Sequence, residues 1–253
     1  MENEIKKPED LDHKELVRLI MDMFHRTIIH HGLWFCQVER ELGLERALHY
    51  LAEVWPKSYT LQMERLAALF GFTLQDGIPK ALLGMPRESL LQLAQDLGRN
   101  WVAGDGIWFQ AIEKDYGMWD AKRCNDSCWG RFSPLEASSI KAFLGLPEKA
   151  SIDGLKKALP FRMYTQINTD YTLIDEGPDS VVLQINTCRV HAARKRKGLE
   201  DYVCKSAGIV EYRTFAETID SRIKTICIAC PPDEHPEQWY CAWRFMIPAA
   251  AEG

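Results

Sequence analysis

Slid along itself by 74 positions, the chain overlays residues 13–72 on residues 87–146 without a gap, and thirteen of the sixty paired positions are identical. About three or four identities are expected by chance, so the pairing reads as an internal duplication. The matched landmarks include Gly32/Gly106, Trp34/Trp108, Phe35/Phe109, Glu39/Glu113, Gly43/Gly117, Ala47/Ala121, Trp55/Trp129 and Gly71/Gly145. A fold that accommodates this chain must therefore use one local structure twice.

Each copy carries helical periodicity. Leu16, Leu19, Ile20, Met23 and Phe24 recur at the three-and-four spacing of one buried helix face, and Leu90, Leu93, Ala94, Leu97 and Trp101 trace the same stripe in the second copy. Asp12 with Glu15 has the form of a capping box at the start of the first stripe. A second helix in each copy is expected around Trp34, Phe35 and Val38, or Trp108, Phe109 and Ile112, with Gly43 and Gly117 as its C-terminal caps. A third stripe runs through Leu61, Leu66, Leu69 and Phe70. One such unit cannot bury its own stripe, so the two copies are expected to pack through their aromatic faces. The tryptophans at this spacing read first as core. Trp34 and Trp108, with the adjacent His30 and His31, are also the candidates to line a ligand pocket. Neighbouring histidines on a helix point about 100° apart and do not readily share one metal.

Near Pro147–Gly154 the pattern changes, which divides the chain into a helical region, 1–148, and a cysteine-rich module, 149–253. Phe161 to Ile174 suits a strand, Glu176-Gly177-Pro178-Asp179 a turn, and Val181, Leu183 and Ile185 the return strand. A basic helix follows, ending near Gly198. Residues 200–219 read as helical with an interruption at Gly208, and 223–229 and 239–247 as two further strands. The fold class is α+β: an all-helical tandem repeat, then a small four-stranded antiparallel sheet with helices on one face. The run Arg194-Lys195-Arg196-Lys197 is either a solvated face or a contact for phosphate or acidic groups.

Composition removes several functions. The 253 residues are 46% hydrophobic, enough for one large core or two smaller ones. A net charge of −5 argues against a general nucleic-acid binder. No stretch approaches the apolar length of a membrane span. The charged start MENEIKKPEDLDHKEL lacks the apolar core of a secretion signal, so a cytoplasmic location is expected. No GxSxG, HExxH, GxGxxG or Walker-type loop is present.

Eight cysteines need an explanation in that setting, where disulfides are rare and clustered cysteines bind metal or react. Cys36, Cys124 and Cys128 are scattered among helices, whereas five lie between positions 188 and 241. Cys227 and Cys230 form a CxxC. Residues three apart on a regular strand point to opposite faces, so these two converge only where the strand is broken, and Pro231-Pro232 make a turn there plausible. Cys241 on the next strand and Cys204 near the end of a helix complete a tetrahedral set for structural zinc. Buried inert thiols and a redox pair at Cys227/Cys230 remain the alternatives, although this CxxC does not open a helix after a strand. Cys188, beside Arg189, is left over as a core residue, a fifth sulfur near the site or a reactive thiol.

The stretch from Cys188 to Phe245, with Cys188-Arg189, Gly198-Leu199, Cys204-Lys205, Cys230-Pro231-Pro232-Asp233, Cys241 and Trp243-Arg244-Phe245, resembles a family of uncharacterised prokaryotic cytosolic proteins. Gly32-Leu33-Trp34-Phe35 with Glu39, Gly43, Ala47 and Trp55 resembles the amino-terminal half of the same family. More distantly, the intervals between Cys204, Cys227, Cys230 and Cys241 are similar to the metal site of 4-vinyl-reductase-type small-molecule-binding domains, with Cys227 where those domains carry glutamate. The layout and cysteine-rich end also resemble L-2-amino-thiazoline-4-carboxylic acid hydrolases. These resemblances imply a metal-bearing binder of a small molecule.

The expected function is thus a zinc-stabilised module with a pocket for a small, partly apolar molecule. The alternative is a hydrolase of a small heterocyclic or amide-type substrate, with a nucleophile outside the metal site and Cys188 as the first thiol to test. The partner expected is a small molecule, not nucleic acid or membrane, with a homodimer left open.

Overall fold

A computed structural model describes residues 7–249. The chain divides into two compact units, one running to Lys80 and the other from Ala81 onward. The second helical pair therefore belongs with the α+β part, not with the first pair as the composition shift near residue 149 suggested.

The first unit is a helical hairpin, α1 (His13–Leu42) and α2 (Leu44–Phe70), followed by a two-stranded ribbon of β1 (Leu74–Gln75) and β2 (Ile78–Pro79). Helix α1 begins at the expected capping box: the Asp12 carboxylate accepts from Glu15 N at 2.8 Å, and Asp12 N donates to the Glu15 carboxylate at 3.1 Å. The two stripes read as separate helices are one continuous helix of 30 residues. Gly32 lies within it, because a mid-helix glycine costs only about 1 kcal/mol and does not break a helix whose neighbours propagate it. Gly43 ends α1 at φ 87°, a backbone region open to glycine, and α2 starts at the next residue.

A short helix, α3 (Lys80–Leu83), leads into α4 (Arg87–Tyr116) and α5 (Met118–Phe143). Their boundaries repeat those of α1 and α2 at the 74-residue offset to within one residue, and Gly117, at φ 85°, separates them as Gly43 does in the first pair. The environments differ. Trp129 is 8% exposed, stacked edge-on against Trp101, while its counterpart Trp55 is 55% exposed. The aromatic faces expected to be core are solvent-facing at Trp34 (61%) and Trp108 (71%). Helical spacing identifies one face of a helix but not whether anything covers it.

After α5 come α6 (Ser151–Ala158), α7 (Met163–Ile167), β3 (Tyr171–Asp175), β4 (Ser180–Ile185), α8 (Arg189–Arg196), α9 (Cys204–Ile219), β5 (Lys224–Ala229) and β6 (Cys241–Met246). The four strands form one antiparallel sheet in the order β3-β4-β6-β5. Its inner face carries Leu183, Ile185, Trp243 and Phe245 against Phe215 and Ile219 of α9 and Ile152 and Leu155 of α6. Of the long strand expected over 161–174, only the part from Tyr171 onward is extended, as β3. The preceding residues are helical because Arg162 is buried between two carboxylates: Nε lies 3.0 Å from Glu136 of α5 and Nη2 lies 2.6 Å from Glu211 of α9. Met163 N also donates to Glu136 at 2.6 Å. Among the described residues, no helix is long and apolar enough to cross a membrane.

Helix α9 runs through Gly208 without interruption. A Cβ there would lie 2.5 Å from Cζ2 of Trp243, so the glycine admits the indole beneath the helix. Gly208→Ala is expected to destabilise the protein by about 1–3 kcal/mol through overpacking. Gly32→Ala, where nothing stands within 4 Å, is expected to stabilise by about 0.5–1 kcal/mol. Urea unfolding of the two variants checks the contrast. Arg162→Met leaves Glu136 and Glu211 buried without their cation, and is expected to cost about 3–5 kcal/mol in the same measurement.

Candidate functional site

A cavity of about 800 Å³ opens within the second unit, between α4, α8, α9 and the inner end of β6. Phe109, Trp129, Tyr164, Tyr212 and Trp243 supply aromatic walls. Four thiols also line it: Cys188, Cys204, Cys230 and Cys241.

Local structure brings these sulfurs together. Cys188 follows β4 and is the N-cap of α8, which places His191, three residues on, over the same opening. Cys204 is the first residue of α9, not near the end of a helix as expected, since residues 200–203 lie outside any helix and Gly208 does not end one. The 230–233 loop is folded back on itself. Asp233 N donates to Cys230 O at 2.9 Å, and Cys230 N donates to the Asp233 carboxylate at 3.3 Å. Lys205 pins that loop to the start of α9, through its N–H to Pro231 O (2.9 Å) and its Nζ to Asp233 (2.9 Å). Cys230 is thereby held beside Cys204. The pairing of β5 with β6 shifts register between Cys227 and Ala229, a bulge that breaks the strict alternation of faces.

An imidazole joins the cluster at Cys204. His191 Nε2 lies 3.1 Å from Cys204 Sγ, Nδ1 lies 3.5 Å from the Asp201 carboxylate, and the ring stacks on Tyr240 with centroids 5.2 Å apart. Burial pushes its pKa down, so the ring is neutral near pH 7. The Tyr164 hydroxyl is 3.5 Å from Cys188 Sγ. Burial raises the Cys188 pKa against the pull of that hydroxyl and of the Val190 and His191 N–H groups. At Cys204 a hydrogen bond from Cys230 acts to lower the pKa, but burial and the neighbouring Cys188 and Cys241 sulfurs leave it raised. Cys230 and Cys241 are raised first by sharing a proton with their sulfur neighbours and then by burial. The indole Nε1–H of Trp243 is buried with no hydrogen-bond partner among the described residues, and its pull acts to lower the pKa of the nearby Cys241.

The expected ligands are only partly gathered here. Cys204, Cys230 and Cys241 line the cavity; Cys227 does not, and is half-buried with its thiol pushed up to about 11 by burial. A four-cysteine zinc site at Cys204, Cys227, Cys230 and Cys241 is therefore not what the structure presents. Among the described residues, no group of three or more His, Cys, Asp or Glu side chains stands as placed to hold a metal ion. His30, His31 and Trp34 lie on α1 in the other unit, and Trp108 points away from the cavity that its neighbours Ile107 and Phe109 line. Cys188, outside the expected ligand set but the first thiol to test as a nucleophile, does line it. His191 was missed, although the spacing Cys188-x-x-His191 at the start of a helix was a readable signal.

Polar networks brace the walls. Arg194 of α8 forms a two-pronged pair with Glu113 of α4, at 2.7 and 3.0 Å, and donates from Nε to Glu200 O at 2.6 Å. Buried Lys122 donates to Tyr202 (2.9 Å), which donates to Asn125 (2.5 Å), which donates to Asp105 (3.1 Å). Burial raises the Asp105 carboxyl against the effects of Asn125 and Lys122.

No curated protein and no solved structure matches this chain. The sequence model of a family of unknown function, DUF6125, matches it over residues 9–85 and 81–247. These segments take in both helical pairs, the sheet and all the residues around the cavity, and the chain belongs to that family of unknown function.

Proposed function

We propose that the second unit binds a small, partly apolar molecule in the cavity floored by thiols. The observation that carries this is the coincidence of volume and chemistry: about 800 Å³ walled by aromatic rings, with four sulfurs and an imidazole at one end. Pockets of this size that combine apolar walls with a few converging polar groups are where small ligands bind. The same arrangement supports zinc at a revised set, Cys204, Cys230, Cys241 and His191, three sulfurs and a neutral imidazole linked in a chain of contacts from His191 to Cys204 to Cys230 to Cys241. The orphaned Trp243 N–H beside Cys241 suits a thiolate there. As placed, these donors do not close around an ion, and the reading requires their side chains to turn inward. All four positions filled by protein make such an ion structural. The likeness to metal-bearing vinyl-reductase-type domains is part of this reading. The 74-residue offset of helix boundaries and the two overlapping family matches favour a duplicated helical pair, of which only the second lines the cavity.

One observation favours a hydrolase as the second reading. Cys204 opens a helix, its sulfur touches His191 Nε2, and Asp201 sits on the far side of the ring. In that arrangement His191 takes the thiol proton, the sulfur adds to an electrophilic carbon, and the departing nitrogen or sulfur takes the proton; water, deprotonated by His191, then displaces the Cys204 sulfur from that carbon and the thiolate regains its proton from the imidazolium. Cys204, not Cys188, would then be the nucleophile. The two readings exclude each other at that sulfur.

Elemental analysis of freshly purified protein separates them, with about one zinc per chain expected. With zinc in place, the cluster thiols stay unreactive toward a thiol reagent until a chelator is added, while the exposed Cys36 and Cys124 react at once. Metal-free protein alkylated selectively at Cys204 sinks the zinc reading and leaves the hydrolase. A thermal-shift screen with aromatic and heterocyclic compounds is expected to raise Tm by a few degrees for some of them. A flat screen counts against a binder.

A further inference from the structure

The charges around the cavity are not balanced. Its two carboxylates are already committed. Glu211 is paired with Arg162 at 2.6 Å, and Asp105 accepts from Asn125. Of the cationic side chains, Arg194 is neutralised by Glu113, Arg99 lies 2.5 Å from Asp96, and Lys197 meets the neutral Gln110 at 3.0 Å. Arg189 and Arg196 also line the cavity and are exposed; Arg189 N donates to Asn168 Oδ1 at 2.9 Å, but neither guanidinium has a hydrogen-bond or ion-pair partner among the described residues.

These two arginines stand at opposite ends of α8, seven residues apart. Seven residues are almost two full turns, so both project from the same side of the helix about 10 Å apart. Two long guanidinium side chains at that spacing can reach a common anion between them. Anchored by the Arg194–Glu113 fork, α8 presents them on a fixed backbone. The basic run of residues 194–197 thus divides into roles. Arg194 is a buried brace, Arg196 and Lys197 face the opening, and Lys195 takes no part in the lining. Beneath them the walls are aromatic.

We propose that the molecule this cavity takes is an amphipathic organic anion: an aromatic or aliphatic body among Phe109, Trp129, Tyr212 and Trp243, with an acidic group between Arg189 and Arg196. The inference rests on the cavity being a ligand site, and it adds the chemical class of the ligand. It does not depend on whether Cys204 holds a metal or acts as a nucleophile. Arginine forks bind carboxylates and related oxyanions through charge-assisted hydrogen bonds, whereas a neutral amide of the same shape gains only ordinary ones.

The test uses matched pairs of acid and amide on naphthyl, phenyl and decyl bodies, titrated calorimetrically against the full chain. At least one acid is expected to bind about tenfold or more tighter than its amide. Raising the salt from about 50 to about 500 mM should weaken the acid and leave the amide unchanged. The double variant Arg189→Gln, Arg196→Gln should erase the difference. Both positions are exposed, so its circular dichroism and Tm should stay as in the parent. Amides that bind as well as their acids, or an acid whose affinity survives the double variant, overturn the anion assignment and leave the cavity as a ligand site. Failure of every acid and every amide to bind at about 1 mM removes both readings.

Discussion

The guanidinium of Arg162 has no contact with solvent and holds together three parts of the chain that are far apart in sequence. It bridges Glu136 on α5 and Glu211 on α9, and lies over the Phe215 ring with 4.6 Å between its carbon and the ring centroid. Hydrophobic contact alone would let two packed helices slide by a fraction of a turn. A buried cation with two carboxylate partners does not allow that, because either pair, once lengthened, leaves a desolvated charge. The cavity wall depends on this register. Glu211 and Tyr212 follow one another on α9, and Trp129 faces them from α5.

The floor of the cavity is set by a contact of a different kind. Gly208 lets the helix settle onto Trp243, and the indole in turn packs on Tyr212 with centroids 4.9 Å apart. Lowering α9 onto the sheet brings its first residue, Cys204, to the level of the loop that carries Cys230 and of the start of β6 at Cys241. The thiol cluster is therefore a result of how closely the helix seats, with the Lys205–Asp233 bridge as a latch at its end.

Features with local causes were legible in the sequence: the Asp12/Glu15 box, the glycine ends of α1 and α4, the turn at 176–179 and the four strands with their antiparallel pairing. Features that depend on distant partners were not. Residues 161–167 alternate like a strand but are bent into short helices by what surrounds Arg162. Gly208 looked like a break because the ring it accommodates lies 35 positions further on. Cysteine spacing identified three of the four sulfurs around the cavity, but selected Cys227 over Cys188. Only the folded strands reveal which of those sulfurs meets the opening. His191 carried no signal beyond its distance from Cys188, since its partners Asp201, Cys204 and Tyr240 converge only in three dimensions.

The unequal burial of Trp55 and Trp129 has an optical consequence. The chain holds eight tryptophans. Those on α1 and α2 are hydrated and emit at long wavelength, whereas Trp129 and Trp243 line the cavity in an apolar setting. A molecule entering that space quenches or shifts the short-wavelength part of the spectrum and leaves the long-wavelength part as an internal reference. For the proposed ligand, the protein would thus carry its own ratiometric reporter of occupancy, with no label attached.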